Sequence, residues 1–224
     1  MTHKSGSLTS GFPPELAELY KPLWQEVAAL FAKWKAFVRL FGTNDADLDV
    51  LNRAAGGFFA LFQDVLVGDL ILGVGRLTDA TGTGQKANLS LDALGPAIDP
   101  IQYASLRFDV EAKFVEACQK AAFARAWRNR RIAHLDLKTA LGSHADPLPA
   151  YTRAEVQEAL DAIAAVLNAI PAHFGQGVTA FGDVVNQLGD AESLVKRLRD
   201  GLELQDWRFK SRMNGGTGIL PPEV

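Results

Sequence analysis

The sequence predicts an all-α fold, an antiparallel bundle of four to six helices. Three observations carry this. Apolar residues recur at three- and four-residue steps over most of the chain, no pair of alternating apolar and polar runs is joined by a hairpin turn, and no repeat of fixed period is present. Hydrophobic residues make up 48% and charged residues 22% of 224, the balance of a globular protein that folds by burial, and this length suits one substantial core.

Residues 1–12 are rich in Ser, Thr and Gly and read as a flexible segment. Pro13 and Pro14 open the first helix, where a missing N–H costs nothing. Its stripe runs through Leu16, Leu19, Leu23, Val27, Leu30, Phe31, Trp34 and Phe41, with Pro22 expected to kink the first turns and Gly42 to end it. Residues 45–78 form a second periodic segment. Its run DVLVGDLILGVG has strand-like residues and three glycines, each unfavourable in a helix by roughly 1 kcal/mol, but the period extends well beyond strand length and favours a helix.

Residues 79–90 read as a loop, followed by a short helix at 91–94 that Gly95-Pro96 stops. From 101 to about 134 there is neither Gly nor Pro, and Val110, Phe114, Ala117, Cys118, Ala121 and Arg128 fall near one line, predicting a long central helix. Thr152-x-x-Glu155 is a capping box opening a helix striped by Val156, Leu160, Ile163, Val166, Leu167 and Ile170. Weaker helices are expected at 174–188 and 191–202. One helical domain over 13–204 with a tail at 205–224 is the resulting layout.

The formal net charge of -3 excludes a uniformly basic nucleic-acid surface, so any phosphate site must be local. One cysteine, Cys118, excludes an internal disulfide and fits a reducing compartment. The N-terminus lacks a secretory signal pattern. The most lipid-like run, 65–75, is shorter than the ~20 residues of a spanning helix and contains Asp69. A cytoplasmic protein with no membrane partner is expected.

The stretch TGTGQK at 81–86 lacks the P-loop spacing and its preceding strand, and Gly73-x-Gly75 lacks the rest of a dinucleotide fingerprint; close helix packing accounts for the latter better. The four histidines share no zinc-site spacing, so neither metal nor cofactor is expected.

The stretch RNRRIAH at 128–134 stands out. Between 119 and 138 lie Lys120, Arg125, Arg128, Arg130, Arg131 and Lys138 against Asp136 alone. Cations at a helix end complement its dipole, worth about 0.3–1 kcal/mol each, and that accounts for two or three of them. On a regular helix His134 lies near Arg130 and Arg131, whereas Arg128 sits about 120° away on the apolar line. An arginine there is costly unless paired or lining a polar cleft.

Arg128-Asn129 followed by His134 resembles the Arg-polar-(four to six residues)-His motif of the HEPN superfamily. The ordered phrases DVLVGDLILGVGRLTD, GTGQKANLSLDAL and RNRRIAHLDL resemble the abortive-infection AbiU-type branch of that superfamily. The resemblance implies a HEPN-like helical bundle and a homodimer whose two motif copies form one cleft. It also implies a metal-independent ribonuclease of a toxin or antiphage system.

In that reading Arg128 binds the scissile phosphate, Asn129 orients the site and His134 moves protons, with the RNA 2′-OH as nucleophile. Guanidinium offers a fork for phosphate oxygens, and imidazole titrates near neutrality, which suits both roles. Arg125, Arg130, Arg131 and Lys138 are the expected RNA contacts, and Asp64, Asp69 and Asp136 the supporting acids, with Asp79 a further acid able to hold a cluster arginine. A cognate antitoxin or nucleotidyltransferase is an implied partner. The alternative is a non-catalytic HEPN module that binds a nucleotide or a partner protein.

Overall fold

The structure, a computed structural model, describes residues 8–82, 88–132, 148–183 and 190–215, with 131 and 132 described by their backbone alone. Six α-helices and no strand occur among these residues: α1 Pro14–Phe41, α2 Asp45–Leu77, α3 Ala104–Lys120, α4 Ala122–Trp127, α5 Arg153–His173 and α6 Ala191–Met213. The all-α expectation is met. A short 3₁₀ turn at Leu91–Ala93 sits where a short helix was expected.

The chain divides into two compact units, residues 1–32 with 68–184, and residues 33–67 with 185–224. In the first, α3 and α5 pack side by side. Lys120 of α3 bonds Glu158 near the start of α5, while Tyr103, just before α3, meets His173 at its end, so the two helices run antiparallel. Their inner stripes, Leu106, Val110 and Ala117 on α3 and Val156, Leu160, Ile163 and Leu167 on α5, are buried, and in the same unit Leu16, Leu23 and Val27 of α1 and Ile71 and Val74 of α2 are buried as well. The capping box is formed, Glu155 N–H donating to Thr152 Oγ1 and Thr152 N–H to the Glu155 carboxylate.

In the second unit Leu40, Val50, Leu51, Phe59 and Val195 make a small core. Beside it lies Asp47, whose side chain is only 3% exposed. Its carboxylate takes Arg39 Nη1 and Arg199 Nη2, both at 2.5 Å, and Asn44 Nδ2 at 3.1 Å. The hydrogen bond from Arg39 holds this carboxyl below the usual carboxylate range, against the opposing effect of burial.

Three expectations are corrected, and α2 carries a kink that the sequence reading did not address. The long central helix is broken: α3 stops at Lys120, Ala121 leaves helical geometry (φ -86°, ψ 5°), α4 is short, and Arg128–Ile132 winds as a π-helical turn. Periodicity cannot see such a break when the junction residue is a fully buried alanine. The helix expected at 174–188 is absent over 174–180, because α5 ends in a Schellman motif. Gly175 is left-handed (φ +66°), its N–H bonds Ala172 O, and Gln176 N–H bonds Pro171 O. Only a 3₁₀ turn, Phe181–Asp183, follows among the described residues.

The last helix extends past residue 202 to Met213, into the expected tail, and ends before Gly215 at φ +81°. Finally, α2 is kinked at Ala55, with φ -165° and ψ 63°, beside the Gly56-Gly57 pair. By length and composition alone, α2 is the one helix among the described residues apolar enough to cross a membrane, with 28% of that apolar window buried in the protein.

Candidate functional site

Arg128 opens the π-helical turn that follows α4. A π turn carries i→i+5 hydrogen bonds and is wider than an α turn, so the 100° spacing of a regular helix does not relate Arg128 to residues beyond it. Yet the sheltered position expected for Arg128 is found. Its side chain is 20% exposed and lies across α2, where a Cβ added to Gly75 would stand 3.4 Å from Arg128 Cδ.

The guanidinium is paired, as its position requires. Arg128 Nη1 donates to Asp79 Oδ2, just beyond α2, and Nε and Nη2 donate to Asn129 Oδ1 at 3.0 and 2.9 Å. The Asp79 carboxylate is itself 23% exposed. A charge-assisted pair in so shielded a place fixes the fork's orientation and leaves further N–H donors on the terminal nitrogens.

Arg125 has a different use. Its Nη1 donates to Thr78 O at 3.2 Å and its Nη2 to Cys118 O at 2.7 Å, so it satisfies carbonyls at the ends of both α2 and α3. The Cys118 thiol points at the same Thr78 carbonyl, 3.4 Å away. This is what compensates the break at Ala121: carbonyls freed near a helix end receive a guanidinium instead of the next turn's N–H. Arg130 is half-buried and Asn129 exposed.

Chain beyond residue 147 returns to α4. Trp127 Nε1 donates to Pro149 O at 2.7 Å, and Tyr151 stacks on Phe123 and meets Trp127 edge-on. His134, Asp136 and Lys138 lie outside the described residues, as does the side chain of Arg131. Of the acids named from sequence, Asp64 is exposed on α2 and Asp69 half-buried; the carboxylate that meets Arg128 is Asp79.

Both glycines of the Gly73-x-Gly75 pair are packing positions, Gly73 lying against Leu30 of α1, where an added Cβ would be 2.8 Å from Leu30 Cδ1. Close packing at this pair is as the sequence indicated; what sequence reasoning missed is that Arg128 is the residue against Gly75, and the carbonyl-binding role of Arg125. The signal for Gly75 was present, since a glycine in an apolar helix asks what lies against it. An open groove of about 540 Å³ between α3 and α5, floored by Phe31 and Phe181, is lined by none of the sequence-predicted site residues. No cluster of three or more potential metal ligands occurs among the described residues.

Residues 13–195 match the HEPN family described as AbiU2, a span that includes α1 to α5 and the Arg128 turn. The chain belongs to the AbiU2 family of HEPN proteins. As an AbiU2-type module it carries Arg128-Asn129 and His134 in the matched span, with the arginine seated against the end of α2. No curated protein and no solved structure is significantly similar to it.

Proposed function

We propose that this AbiU2-type module is a metal-independent endoribonuclease of an antiphage abortive-infection system, acting as a cytoplasmic homodimer without a membrane partner. Arg128 binds the scissile phosphate and offsets the charge that grows on its oxygens. His134 transfers protons, Asn129 keeps the guanidinium oriented, and the remaining cluster cations, Arg130, Arg131 and Lys138, draw in RNA. The RNA 2′-OH loses its proton and attacks the adjacent phosphorus. The bond to the 5′ oxygen then breaks, that oxygen is protonated, and a 2′,3′-cyclic phosphate and a 5′-hydroxyl result.

The observation that supports this reading is the seating of Arg128. A guanidinium oriented by Asp79 and Asn129, with donors left over, is preorganised for a phosphate, and preorganised donors cost no rearrangement when charge develops. Restraint by a cognate antitoxin, or modification by a nucleotidyltransferase partner, belongs to the same proposal.

A second reading, a non-catalytic module that binds a nucleotide or a protein, draws on the same bonds. Asp79 competes with any phosphate for Nη1, which weakens binding in the transition state as much as in the ground state. Incubating purified protein with RNA in EDTA separates the two. Cleavage to cyclic phosphate ends, lost in Arg128→Ala and His134→Ala, is expected. Products that form only on adding metal, or cleavage that survives both substitutions, would refute the first reading.

A further inference from the structure

Helix α6 segregates its charges. At 100° per residue its four acids, Glu192, Asp200, Glu203 and Asp206, fall in one sector about 120° wide, whereas Arg197, Arg208 and Arg212 share a sector about 60° wide on the other side, with no acid among them. The acid-bearing side is used by the fold: Asp206 bonds Arg53 at 2.8 Å, and Arg199, on that side, bonds Asp47 at 2.5 Å. The arginine side is not. Arg197, Arg208 and Arg212 are exposed and form no ion pair among the described residues.

Folding alone does not account for this side. Cations in the last turn of a helix complement its dipole, which covers Lys210 and Arg212 in any sector. That effect reaches neither Arg197, in the N-terminal half, nor the absence of acids. Arg208 and Arg212 stand at (i, i+4), where like charges repel and weaken a helix. Between Arg197 and Arg208 the same sector holds Gly201, which also disfavours a helix and at which an added Cβ would meet nothing within 4 Å. Residues that weaken the helix and touch nothing in the chain point to a ligand outside it.

Gly201, Arg208 and Arg212 line a shallow notch of about 510 Å³ with Leu204, Gln205 and Phe209. Its chemistry is that of a contact for one strand of nucleic acid. Arg208 and Arg212 lie about 6 Å apart along the axis, which lets two guanidiniums take successive phosphates of an extended strand. Phe209, 65% exposed, borders the pair and offers a ring for a base, while the Gln205 amide can donate and accept at a base edge. The gap over Gly201 leaves room for the strand to approach the helix. A membrane surface or a partner helix would need the apolar residues gathered on one face, but Trp207, 40% exposed, lies about 160° around the helix from Phe209.

We infer that the arginine side of α6 is a docking surface for single-stranded RNA, with phosphates on Arg208 and Arg212 and a base on Phe209. The inference rests on the ribonuclease reading for its ligand and adds a second contact for it, because the family match ends at residue 195 and these three residues lie beyond it.

The test is equilibrium binding of a fluorescent single-stranded RNA of mixed sequence to the full chain in a His134→Ala background, which keeps the probe intact. Arg208→Gln with Arg212→Gln is expected to weaken binding about tenfold and to reduce the slope of log affinity against log salt by about 1.4, which is about 0.7 for each lost phosphate contact. Phe209→Ser is expected to weaken it about tenfold at unchanged salt slope, the scale of one lost base stack. Lys196→Gln with Lys210→Gln removes the same charge from the acid-bearing side and is expected to change affinity by no more than about twofold. All five positions are exposed, so each variant should keep its helix content by circular dichroism. Equal weakening by the two double variants, no weakening by the arginine pair, or binding of phosphatidylserine vesicles that needs the pair when RNA binding does not, would overturn the inference. RNA held through α6 but left uncut by the wild-type chain would sink the ribonuclease reading alone. RNA bound and cut equally well with and without the arginine pair would sink this inference alone.

Discussion

Arg128 and Asp79 form an ion pair across the gap between the π-helical turn and the end of α2, so the orientation of the motif arginine is dictated from another helix. Replacing Asp79 with Asn keeps the size and an acceptor but removes the charge. RNA cleavage is expected to fall by up to ~10²-fold, the scale of a misplaced reacting group, while Arg128→Ala costs ~10²–10³-fold, the scale of a lost charge-stabilising donor. Single-turnover rates for the two variants, with melting curves to show that each is folded, check the order. An Asp79→Asn rate equal to wild type would mean that Arg128 is oriented without its partner.

The three glycines in the second half of α2 should answer differently to a methyl group. At Gly68 an added Cβ has nothing within 4 Å, so Gly68→Ala should stabilise by about 1 kcal/mol through helix propensity. Gly73→Ala meets Leu30 at 2.8 Å and should lose about 1–3 kcal/mol to overpacking. Gly75→Leu overfills a buried position against Arg128 and should lose about 1–3 kcal/mol as well as cleavage, whereas Gly75→Ala, whose Cβ would meet Arg128 Cδ at 3.4 Å, should leave both nearly unchanged. Denaturant unfolding of these variants reads the stability effects, and the cleavage assay the difference between the two Gly75 variants.

Asp47→Asn removes the charge that Arg39 and Arg199 share, and about 2 kcal/mol is expected to be lost at neutral pH, the scale of hydrogen bonds to a charged group. The arginines are partly exposed and can return to water, which keeps the loss from being larger. Because the folded-state value of Asp47 lies below 3.8, its contribution is fully present above that value and fades as pH falls toward the folded one. Wild type and variant should therefore differ in melting temperature at pH 7 and converge at strongly acidic pH. A constant difference down to pH 2 would show that the charge is not responsible.

Thr152→Ala removes one half of the capping box at the start of α5 and should cost about 1 kcal/mol. Since α5 packs along α3, hydrogen exchange at the first turn of α5 should quicken before that of the turns near Ile163, which is fully buried.

What the sequence revealed depended on whether the deciding force was local. The stripes of α1 and α5 and the Thr152 cap are encoded within a few residues of where they act, and each element formed as read. The break at Ala121 is compensated by Arg125, which reaches the carbonyl of Cys118 and, from 47 positions away, that of Thr78, and no periodicity records such a bond. Likewise the motif arginine could be picked out as a charge on an apolar line, but which acid met it could not. Asp64 and Asp69 were as plausible by composition as Asp79, and only the placement of α2 against the turn separates them. The Arg39–Asp47–Arg199 cluster escaped notice because its third member lies 152 positions from the second.

The π-helical winding of residues 128–132 bears on how strictly the motif must be spaced. A ring closed at i→i+5 holds one residue more than an α turn while advancing the chain hardly further, so it acts as slack in the backbone. Sequences with one residue fewer between the arginine and the histidine can tighten that loop into an ordinary α turn and keep the guanidinium where Asp79 holds it. In this chain the arginine is placed by its bond to Asp79, just beyond α2, and not by the winding that follows it.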